Sequence, residues 1–285
     1  MIVVWQVTER CNLDCPFCSY DRGLARPRRD ADPQRIRESG RVLAQYQRET
    51  DDTVLVCWLG GEPLLWSPLA ELSTEFAVGH GLRVATTTNG TALESTSVRR
   101  HLLASYAELT VSVDAPGTAH DALRGAPSLY ATLSASVRSL ADERRRTGRP
   151  LRLRANVVLM RRTIGVFDRL CHELADWGIE EISFNQLGGN DRPEFYPANR
   201  LEPASVALLE EHLPRLRDEL GQKAGAFARL GQYLRRMAAS SRASACPSTI
   251  AAPAGPSLFV DIHGRIAPCG FTVGTHGIPV AEIDS

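Results

Sequence analysis

The sequence of 285 residues has little of several features that mark particular classes of protein. Its only lysine is Lys223, so it offers almost no candidate for a Schiff base with a carbonyl compound. Its 33 basic and 33 acidic side chains leave no net charge, which gives no reason to expect binding to nucleic acid or to an anionic membrane. No apolar run approaches the roughly 18 residues that span a bilayer, and the apolar start is too short for a signal peptide. We therefore expect a globular protein of the cytoplasm.

The seven cysteines do not indicate a disulfide framework, because their number is odd and no secretion signal is recognised. Cys57 lies in an apolar run and Cys171 on the apolar face of a helical pattern, so both are expected to be buried core thiols. The other five lie in turn-rich segments and are candidate metal ligands: Cys11, Cys15, Cys18, Cys246 and Cys269.

Six short apolar runs alternate with stretches of helical periodicity over about the first 186 residues. The strands predicted from them are 3–7, 54–59, 82–87, 109–113, 151–159 and 182–184. Parallel neighbours need a crossover that is usually a helix, so this alternation predicts an α/β fold with a parallel sheet. Six such units fit a partial (β/α)6 barrel of the TIM type, whose chemistry is expected at the carboxyl ends of the strands.

After Leu187 the alternation stops. We predict the partial barrel over residues 1–200, a helical connector over 201–239 and a small C-terminal region over 240–285. In the last region an alternating run turns at His263 and Gly264, which predicts a hairpin.

Polar motifs follow four of the predicted strands at the edge where chemistry is expected. They are the cysteine loop (residues 11–18), Gly60-Gly61-Glu62-Pro63, Thr88-Asn89-Gly90 and Ser112-Val113-Asp114. This coincidence of motif and strand end is the strongest internal evidence that these residues are functional.

The cysteine loop carries three thiols within eight residues, Cys11, Cys15 and Cys18, and such a group suits an iron–sulfur cluster or zinc. Three ligands to a four-iron cluster leave one iron open to a small molecule that binds through an amine and a carboxylate. A structural zinc site takes four ligands, so a fourth would have to come from elsewhere. The spacing favours the cluster and leaves open a zinc-stabilised binding module without catalysis.

The spacing C-x3-C-x2-C after the first strand, with Phe17 before the last cysteine, resembles the radical S-adenosylmethionine (SAM) superfamily. With the other motifs, the resemblance covers residues 1–186 and implies a [4Fe–4S] cluster that reduces SAM to a 5′-deoxyadenosyl radical, which takes hydrogen from a substrate. The residues that it assigns to SAM binding are Phe17, Gly60, Gly61, Glu62, Pro63, Asn89, Ser112, Asp114, Arg124 and Arg154.

Two carboxylates of this set have specific expected roles. Glu62 would hold the ammonium of SAM, and Asp114 would accept hydrogen bonds from its ribose. The alternatives are a solvated loop acid for Glu62 and helix caps for Asn89 and Asp114. The radical must meet the substrate before water, so the barrel mouth is expected to exclude solvent.

The segment from Gly264 to Cys269 reads G-x4-C and, together with Cys246, resembles the first half of the auxiliary-cluster domain called SPASM, or its shorter relative called twitch. We expect an auxiliary iron–sulfur cluster there. Those domains supply three or more cysteines, and none follows Cys269. Three alternatives stay open. A residue such as His263 or His276 could supply a further ligand, the cluster could have been lost, or the two cysteines could be spare thiols on a structural hairpin.

The motif at 60–65 and the stretch at 120–125 resemble peptide-maturing members most. The resemblance therefore implies an oxidoreductase that acts on a peptide or amino acid in natural-product (RiPP-type) biosynthesis. A twitch-type dehydrogenase or epimerase of an aminocyclitol or sugar is the alternative. Asp191, after the sixth strand, is a candidate proton acceptor from the substrate, although a solvated loop acid fits it as well.

An electron donor of the flavodoxin or ferredoxin type is implied as a partner. Arginines that follow the cysteine loop could dock such an acidic protein, but nearby aspartates make a solvated face the better expectation. These arginines are Arg22, Arg26, Arg28 and Arg29.

Overall fold

A computed structural model describes residues 1–18, 27–188, 194–221, 257–268, 270 and 273–279, together with residues 234, 237 and 241. Its strands are β1 (Ile2–Thr8), β2 (Leu55–Gly60), β3 (Arg83–Thr88), β4 (Glu108–Ser112), β5 (Arg152–Leu159), β6 (Glu181–Gln186), β7 (Ser257–Val260), β8 (Arg265–Ala267) and β9 (Ile278–Pro279). They form one sheet in the order β6-β5-β4-β3-β2-β1-β7-β8-β9.

The helices lie between successive strands and after the sixth. They are α1 (Pro33–Thr50), α2 (Leu69–Thr74), α3 (Thr96–Ser105), α4 (Thr118–Arg124), α5 (Leu129–Thr147), α6 (Phe167–Asp176), α7 (Tyr196–Asn199), α8 (Pro203–Leu220) and the short α9 (Val273–His276) between β8 and β9. The start of α1 shows the local signals clearly: Pro33 occupies the first turn, and the Asp32 side chain accepts a hydrogen bond from the backbone N–H of Gln34.

Strands β1 to β6 pair in chain order, and every pair is parallel. This confirms the predicted α/β class and the partial TIM-like barrel. The predicted strand positions are correct to within about two residues, which is the usual uncertainty of element ends. The short helix α4 was not predicted, because the apolar spacing that marks the longer helices does not extend over its seven residues.

The main core lies between the sheet and the helices. On β2 the outer residues Val56 and Trp58 are fully buried, and Trp58 packs edge-on against Phe76 with 5.1 Å between ring centroids. Cys171 belongs to this core, as predicted. Cys57 does not, because it lies on the opposite, inner face of the sheet and is partly exposed.

The predicted hairpin is present as β7 and β8, and Asp261 closes its turn by accepting hydrogen bonds from the backbone N–H groups of His263 and Arg265. Strand β7 also pairs in parallel with β1, with Ile2 opposite Ser257 and Trp5 opposite Val260. The described part of the C-terminal region therefore continues the barrel sheet. Its pairing satisfies backbone groups of β1 that would otherwise form a sheet edge.

The predicted helical connector begins with α8, which buries a stripe of aliphatic residues and packs on α6: Val206, Leu209, Leu213, Leu216 and Leu220. In the part of the chain that the structure describes, no helix combines the length and the apolar character that a bilayer crossing requires.

Candidate active site at the carboxyl ends of the strands

The three thiols of the cysteine loop lie close together after β1, and none forms a disulfide. The backbone N–H of Cys18 donates to the carbonyl of Cys15 at 3.1 Å, which folds the loop into a turn. Burial raises the pKa of Cys15 to about 11; Arg124 opposes this rise, and negative charge on Cys18 or Cys11 contributes to it. The three thiols are thus near enough to influence one another electrostatically. The donor set therefore fits the three protein ligands of an iron–sulfur cluster.

A single metal ion has a stricter geometric requirement than a cluster of several irons. Within the described ranges, no group of three or more His, Cys, Asp or Glu side chains could hold one metal ion.

Gly60 and Gly61 let the end of β2 lie against the beginning of the cysteine loop. The backbone N–H of Gly61 donates to the carbonyl of Thr8 at 2.8 Å, and that of Glu62 donates to the carbonyl of Arg10 at 2.7 Å. A Cβ on Gly61 would lie 2.0 Å from the Arg10 oxygen, and one on Gly60 would lie 2.3 Å from the Thr8 oxygen. Glycine is thus needed here for contact between two backbones. The buried Pro63 then begins a single 3-10 turn.

The Glu62 carboxylate is only 1% exposed and joins the ends of β2 and β3. Its Oε1 accepts from the Thr88 hydroxyl at 2.7 Å and from the Leu64 N–H at 3.1 Å, and its Oε2 accepts from the Asn89 N–H at 2.7 Å. Burial raises the pKa of Glu62, and these hydrogen bonds oppose the rise. The structure thus contradicts the solvated-acid alternative. It also shows the carboxylate engaged within the protein rather than turned toward a ligand.

Asn89 connects β3 to the cysteine loop. Its Nδ2 donates to Asn12 Oδ1 at 3.0 Å and lies 3.7 Å from Cys11 Sγ. Its Oδ1 accepts from the Thr91 N–H at 3.0 Å and from the Thr91 hydroxyl at 2.7 Å, at the first residue of the following 3-10 turn. Asn89 therefore links this turn to the cysteine loop and contacts Cys11.

Asp114 and Arg124 form a buried ion pair behind the loop. Asp114 Oδ2 accepts from Arg124 Nε at 2.8 Å and lies 2.6 Å from Nη2, while its Oδ1 accepts from the Val158 N–H at 2.9 Å. The Arg124 guanidinium lies over the Phe17 ring, 5.2 Å from its centroid. The Asp114 carboxylate, which was expected to hold the ribose, thus accepts hydrogen bonds from protein donors. Arg124 is the last residue of helix α4, so this helix positions the guanidinium beside Asp114.

The structure places Arg154 away from this edge. Arg154 is the third residue of β5, and its guanidinium pairs with Glu108 at 3.1 Å and with Glu181. All three residues lie near the amino ends of their strands, whereas the cysteine loop follows a carboxyl end. Arg154 neutralises buried Glu108 on the inner face of the barrel, and its predicted contact with SAM stays a prediction.

The inner face between these ion pairs and the loop is lined by uncharged polar groups. Asn156 Oδ1 accepts from the Ser183 hydroxyl at 3.2 Å and from Asn185 Nδ2 at 2.9 Å. Ser112 lies opposite Asn156 in the register of β4 and β5. Asn156, Ser183 and Asn185 are not among the residues predicted from the sequence, although a polar residue at every second position of β5 and β6 is a signal for them.

An apolar cluster closes one side of the cysteine loop. Cys15 and Phe17 are both 8% exposed, and the ring of Phe17 lies 6.3 Å from that of Phe195. The residues packed together there are Cys15, Phe17, Ala115, Leu123, Met160, Leu187, Phe195 and Tyr196. This packing shields the Cys15 side of the loop from water, as radical chemistry requires.

On the other side, a cleft of about 450 Å³ opens beside Cys11 and is lined in part by Arg10, Asn12, Leu65 and Trp66. The structure therefore leaves Cys11 as the exposed thiol of the three and Cys15 as the buried one.

Several predicted residues lie outside the described part of the chain: Asp191, Cys246, Cys269, Arg22 and Arg26. The expected substrate base and auxiliary cluster consequently stay predictions. Arg28 is described and donates from Nη1 to the Glu9 carbonyl at 2.8 Å, while the backbone N–H of Arg29 donates to Glu9 Oε2 at 2.9 Å.

Comparison with known proteins gives one family match. Residues 5–125 match the model of the Radical SAM superfamily. Among curated proteins, the AdoMet-dependent heme synthase of Nitratidesulfovibrio vulgaris is 25% identical over 131 residues, which is 45% of this chain and 34% of that protein. The pre-heme d1 synthase of Dinoroseobacter shibae is 29% identical over 145 residues, 48% of this chain and 33% of that protein. The chain thus spans about a third of the length of these relatives.

Solved structures match over nearly the whole chain. Streptococcus suis SuiB bound to S-adenosylmethionine superimposes with a TM-score of 0.72 at 19% identity, covering 99% of this chain and 64% of that one. The enzyme anSMEcpe with bound AdoMet superimposes with a TM-score of 0.68 at 17% identity, covering 96% of this chain and 75% of that one. At such identities the likeness concerns the fold.

Proposed function

On the premise that this chain carries a radical SAM domain, we propose that it is an oxidoreductase that cleaves SAM reductively and takes hydrogen from a substrate bound inside the barrel. The observation that carries the proposal is the position of Cys11, Cys15 and Cys18 as free thiols in one loop at the carboxyl edge of a parallel barrel. Radical SAM proteins use a [4Fe–4S] cluster and SAM.

When bound, the reduced cluster supplies one electron to the sulfonium of SAM, which yields methionine and a 5′-deoxyadenosyl radical. The chain's own residues prepare this chemistry. The three cysteines would hold the cluster, and Asn89 and the Gly60–Gly61 pair position the loop that carries them.

SAM contacts in this proposal come from groups other than the two buried carboxylates. Glu62 and Asp114 accept three protein donors each, so in this proposal they shape the site rather than bind SAM directly. The N–H groups of Gly61 and Glu62 donate to backbone carbonyls just before the cysteine loop, so the proposed contacts are backbone carbonyl groups of Gly60 and Gly61 and the partly exposed Ser112 at the end of β4.

We propose a peptide or amino acid as the substrate class. Two of the structures with the same fold are complexes with peptides, SuiB with precursor peptide SuiA and anSMEcpe with the Cp18Cys peptide. The uncharged hydrogen-bonding face formed by Asn156, Ser183 and Asn185 suits the amide groups of a peptide backbone.

The same inner face supports a second candidate, a polyhydroxylated substrate such as an aminocyclitol or sugar. Hydroxyl and carboxamide groups pair well with sugar hydroxyls. They offer little apolar surface to a porphyrin, so the substrates named for the heme-synthesis relatives are not carried over to this chain.

We also propose the division into barrel (1–200), connector (201–239) and auxiliary-cluster region (240–285), with Cys246 and Cys269 among the auxiliary ligands. Counting iron tests the auxiliary cluster. Wild type with two clusters would hold about eight irons per chain and a Cys246→Ala/Cys269→Ala variant about four, since each cluster contributes four. Equal iron contents would contradict the second cluster.

Anaerobic reconstitution tests the function as a whole. We expect a brown protein that makes 5′-deoxyadenosine from SAM and dithionite. Cys15→Ala should lose the cluster and all turnover, while Cys57→Ala, on the inner face away from the loop, should keep its cluster. A colourless protein that binds zinc and leaves SAM intact would overturn the proposal in favour of the non-catalytic module.

A further inference from the structure

We propose that the buried Asp114–Arg124 pair is an oriented electrostatic device that raises the reduction potential of the cluster held by Cys11, Cys15 and Cys18. The inference rests on the proposed function, because it needs a cluster on these three thiols. It gives Arg124 a positioning role that differs from the SAM contact expected from the sequence.

The pair is locked in one orientation. Asp114 is 1% and Arg124 is 7% exposed, and the guanidinium reaches Oδ2 through both Nε and Nη2. The second carboxylate oxygen accepts from the Val158 N–H, and the backbone N–H of Asp114 donates to His120 Nδ1 at 3.2 Å. Two strands and helix α4 therefore fix the carboxylate, and the carboxylate fixes the arginine.

The positive end of the pair faces the cysteine loop. The guanidinium lies over the ring of Phe17, the residue between Pro16 and Cys18, and Phe17 packs with Cys15 in one apolar cluster. The carboxylate is held on its other oxygen by the Val158 N–H of β5, whereas the guanidinium is the end of the pair that contacts Phe17. The cation therefore faces the cysteine loop, and the carboxylate stands behind it.

This arrangement has a direct consequence for electron uptake. Reduction adds one negative charge to the cluster, and a nearby cation in a medium of low dielectric constant stabilises the reduced form. The carboxylate acts in the opposite sense from a greater distance, so the net effect is stabilisation. A buried ion pair is a poor way to gain folding stability, since an apolar pair of similar volume packs as well without the cost of desolvation. The potential of the cluster is the property that this pair is placed to change.

The test is a redox titration of the reconstituted protein, followed by the electron paramagnetic resonance signal of the reduced cluster. We expect Arg124→Gln to shift the midpoint downward and Asp114→Asn to shift it upward. For the arginine variant the ratio of reduced to oxidised cluster at a fixed solution potential should fall about tenfold, which corresponds to about 59 mV for one electron. Arg124→Lys, which keeps the charge, should keep a midpoint potential close to that of wild type.

Opposite shifts from the two partners are the signature of an oriented pair, because loss of packing alone would not reverse sign between them. Equal potentials in wild type and in all folded variants, or shifts of the same sign, would overturn the inference and leave the proposed function standing. If Arg124→Gln does not fold, the double variant Asp114→Asn/Arg124→Gln tests the inference instead. We expect its midpoint reduction potential to lie below that of wild type. A wild-type protein that forms no cluster would overturn both.

Discussion

Asn89 donates a hydrogen bond from Nδ2 to Oδ1 of Asn12 at 3.0 Å, so the end of β3 holds the middle of the cysteine loop. The two residues are 77 positions apart in the chain. Because the same amide also lies 3.7 Å from Cys11 Sγ, this contact couples the conformation of the loop to the position of a thiol.

Replacing this donor should impair cluster binding. Asn89→Asp removes the N–H donor and places a carboxylate beside a thiolate, so we expect iron content after reconstitution to fall severalfold with little change in far-UV circular dichroism. Gln45→Glu makes the same amide-to-carboxylate change on exposed helix α1 and should keep its full iron content. Normal iron content in Asn89→Asp would show that the contact is dispensable.

Gly61 should tolerate no side chain. Its Cβ would meet the Arg10 carbonyl oxygen at 2.0 Å, so Gly61→Ala must separate the end of β2 from the cysteine loop. We expect a loss of about 1–3 kcal/mol in the free energy of unfolding, measured by urea denaturation of the apoprotein. Gly165→Ala is the matched control, because nothing lies within 4 Å of the added carbon. Equal urea midpoints for the two variants would rule out the steric explanation.

Stability should fall as the pH is lowered through the range in which a free histidine gains a proton. His120 is fully buried, and its pKa is lowered to about 4, mainly by burial; Asp114 and Asp121 oppose this lowering and Arg124 contributes to it. Between about pH 6.5 and pH 4 the unfolded chain therefore binds more protons than the native protein, and the free energy of unfolding decreases with acid.

The loss between pH 7 and pH 5 should be roughly 2 kcal/mol from this group. His120→Asn keeps an acceptor for the Asp114 N–H but cannot titrate. Its urea stability should accordingly depend less on pH over that interval. An unchanged slope would show that His120 is not responsible.

Arg154 should matter for stability and not for SAM. Arg154→Gln leaves buried Glu108 with only its 3.1 Å contact to Arg83, so we expect a loss of about 1–3 kcal/mol in unfolding free energy. Arg152→Gln, at a more exposed ion pair with Glu181, should cost much less. SAM affinity measured by calorimetry should be the same in both reconstituted variants; a selective loss in Arg154→Gln would revive the contact predicted from the sequence.

We expect an acidic electron donor to approach a bound cluster through the cleft beside Cys11, the exposed thiol of the three. Arg10 is exposed at this cleft, so Arg10→Glu should slow 5′-deoxyadenosine formation driven by a flavodoxin and leave the dithionite-driven rate unchanged. Arg48→Glu, on the last turn of α1, serves as the charge-matched control. Equal slowing with both reductants would indicate damage to the site instead.

The candidate site could be located from the sequence more reliably than its contacts could be assigned. Thr88-Asn89-Gly90 and Ser112-Val113-Asp114 follow strands whose periodicity is local, so their common edge was predictable. The partners of Glu62 and Asp114 were not, because Asn89 and Arg124 reach them only through the packing of other elements. The partners of Arg154 were also not predictable. The sequence places Arg154 in a strand, but its pairing with Glu181 depends on the register between β5 and β6.

By itself, the sequence determined the six βα units, the polar strand ends and the cysteine loop, since each depends on patterns within about twenty residues. Only the tertiary structure decided that β7 pairs with β1, that Glu62 and Asp114 are satisfied internally, and that Arg124 faces the loop. These outcomes depend on pairings between distant segments, and the free energy of a buried polar group is set by whichever partner the fold brings to it.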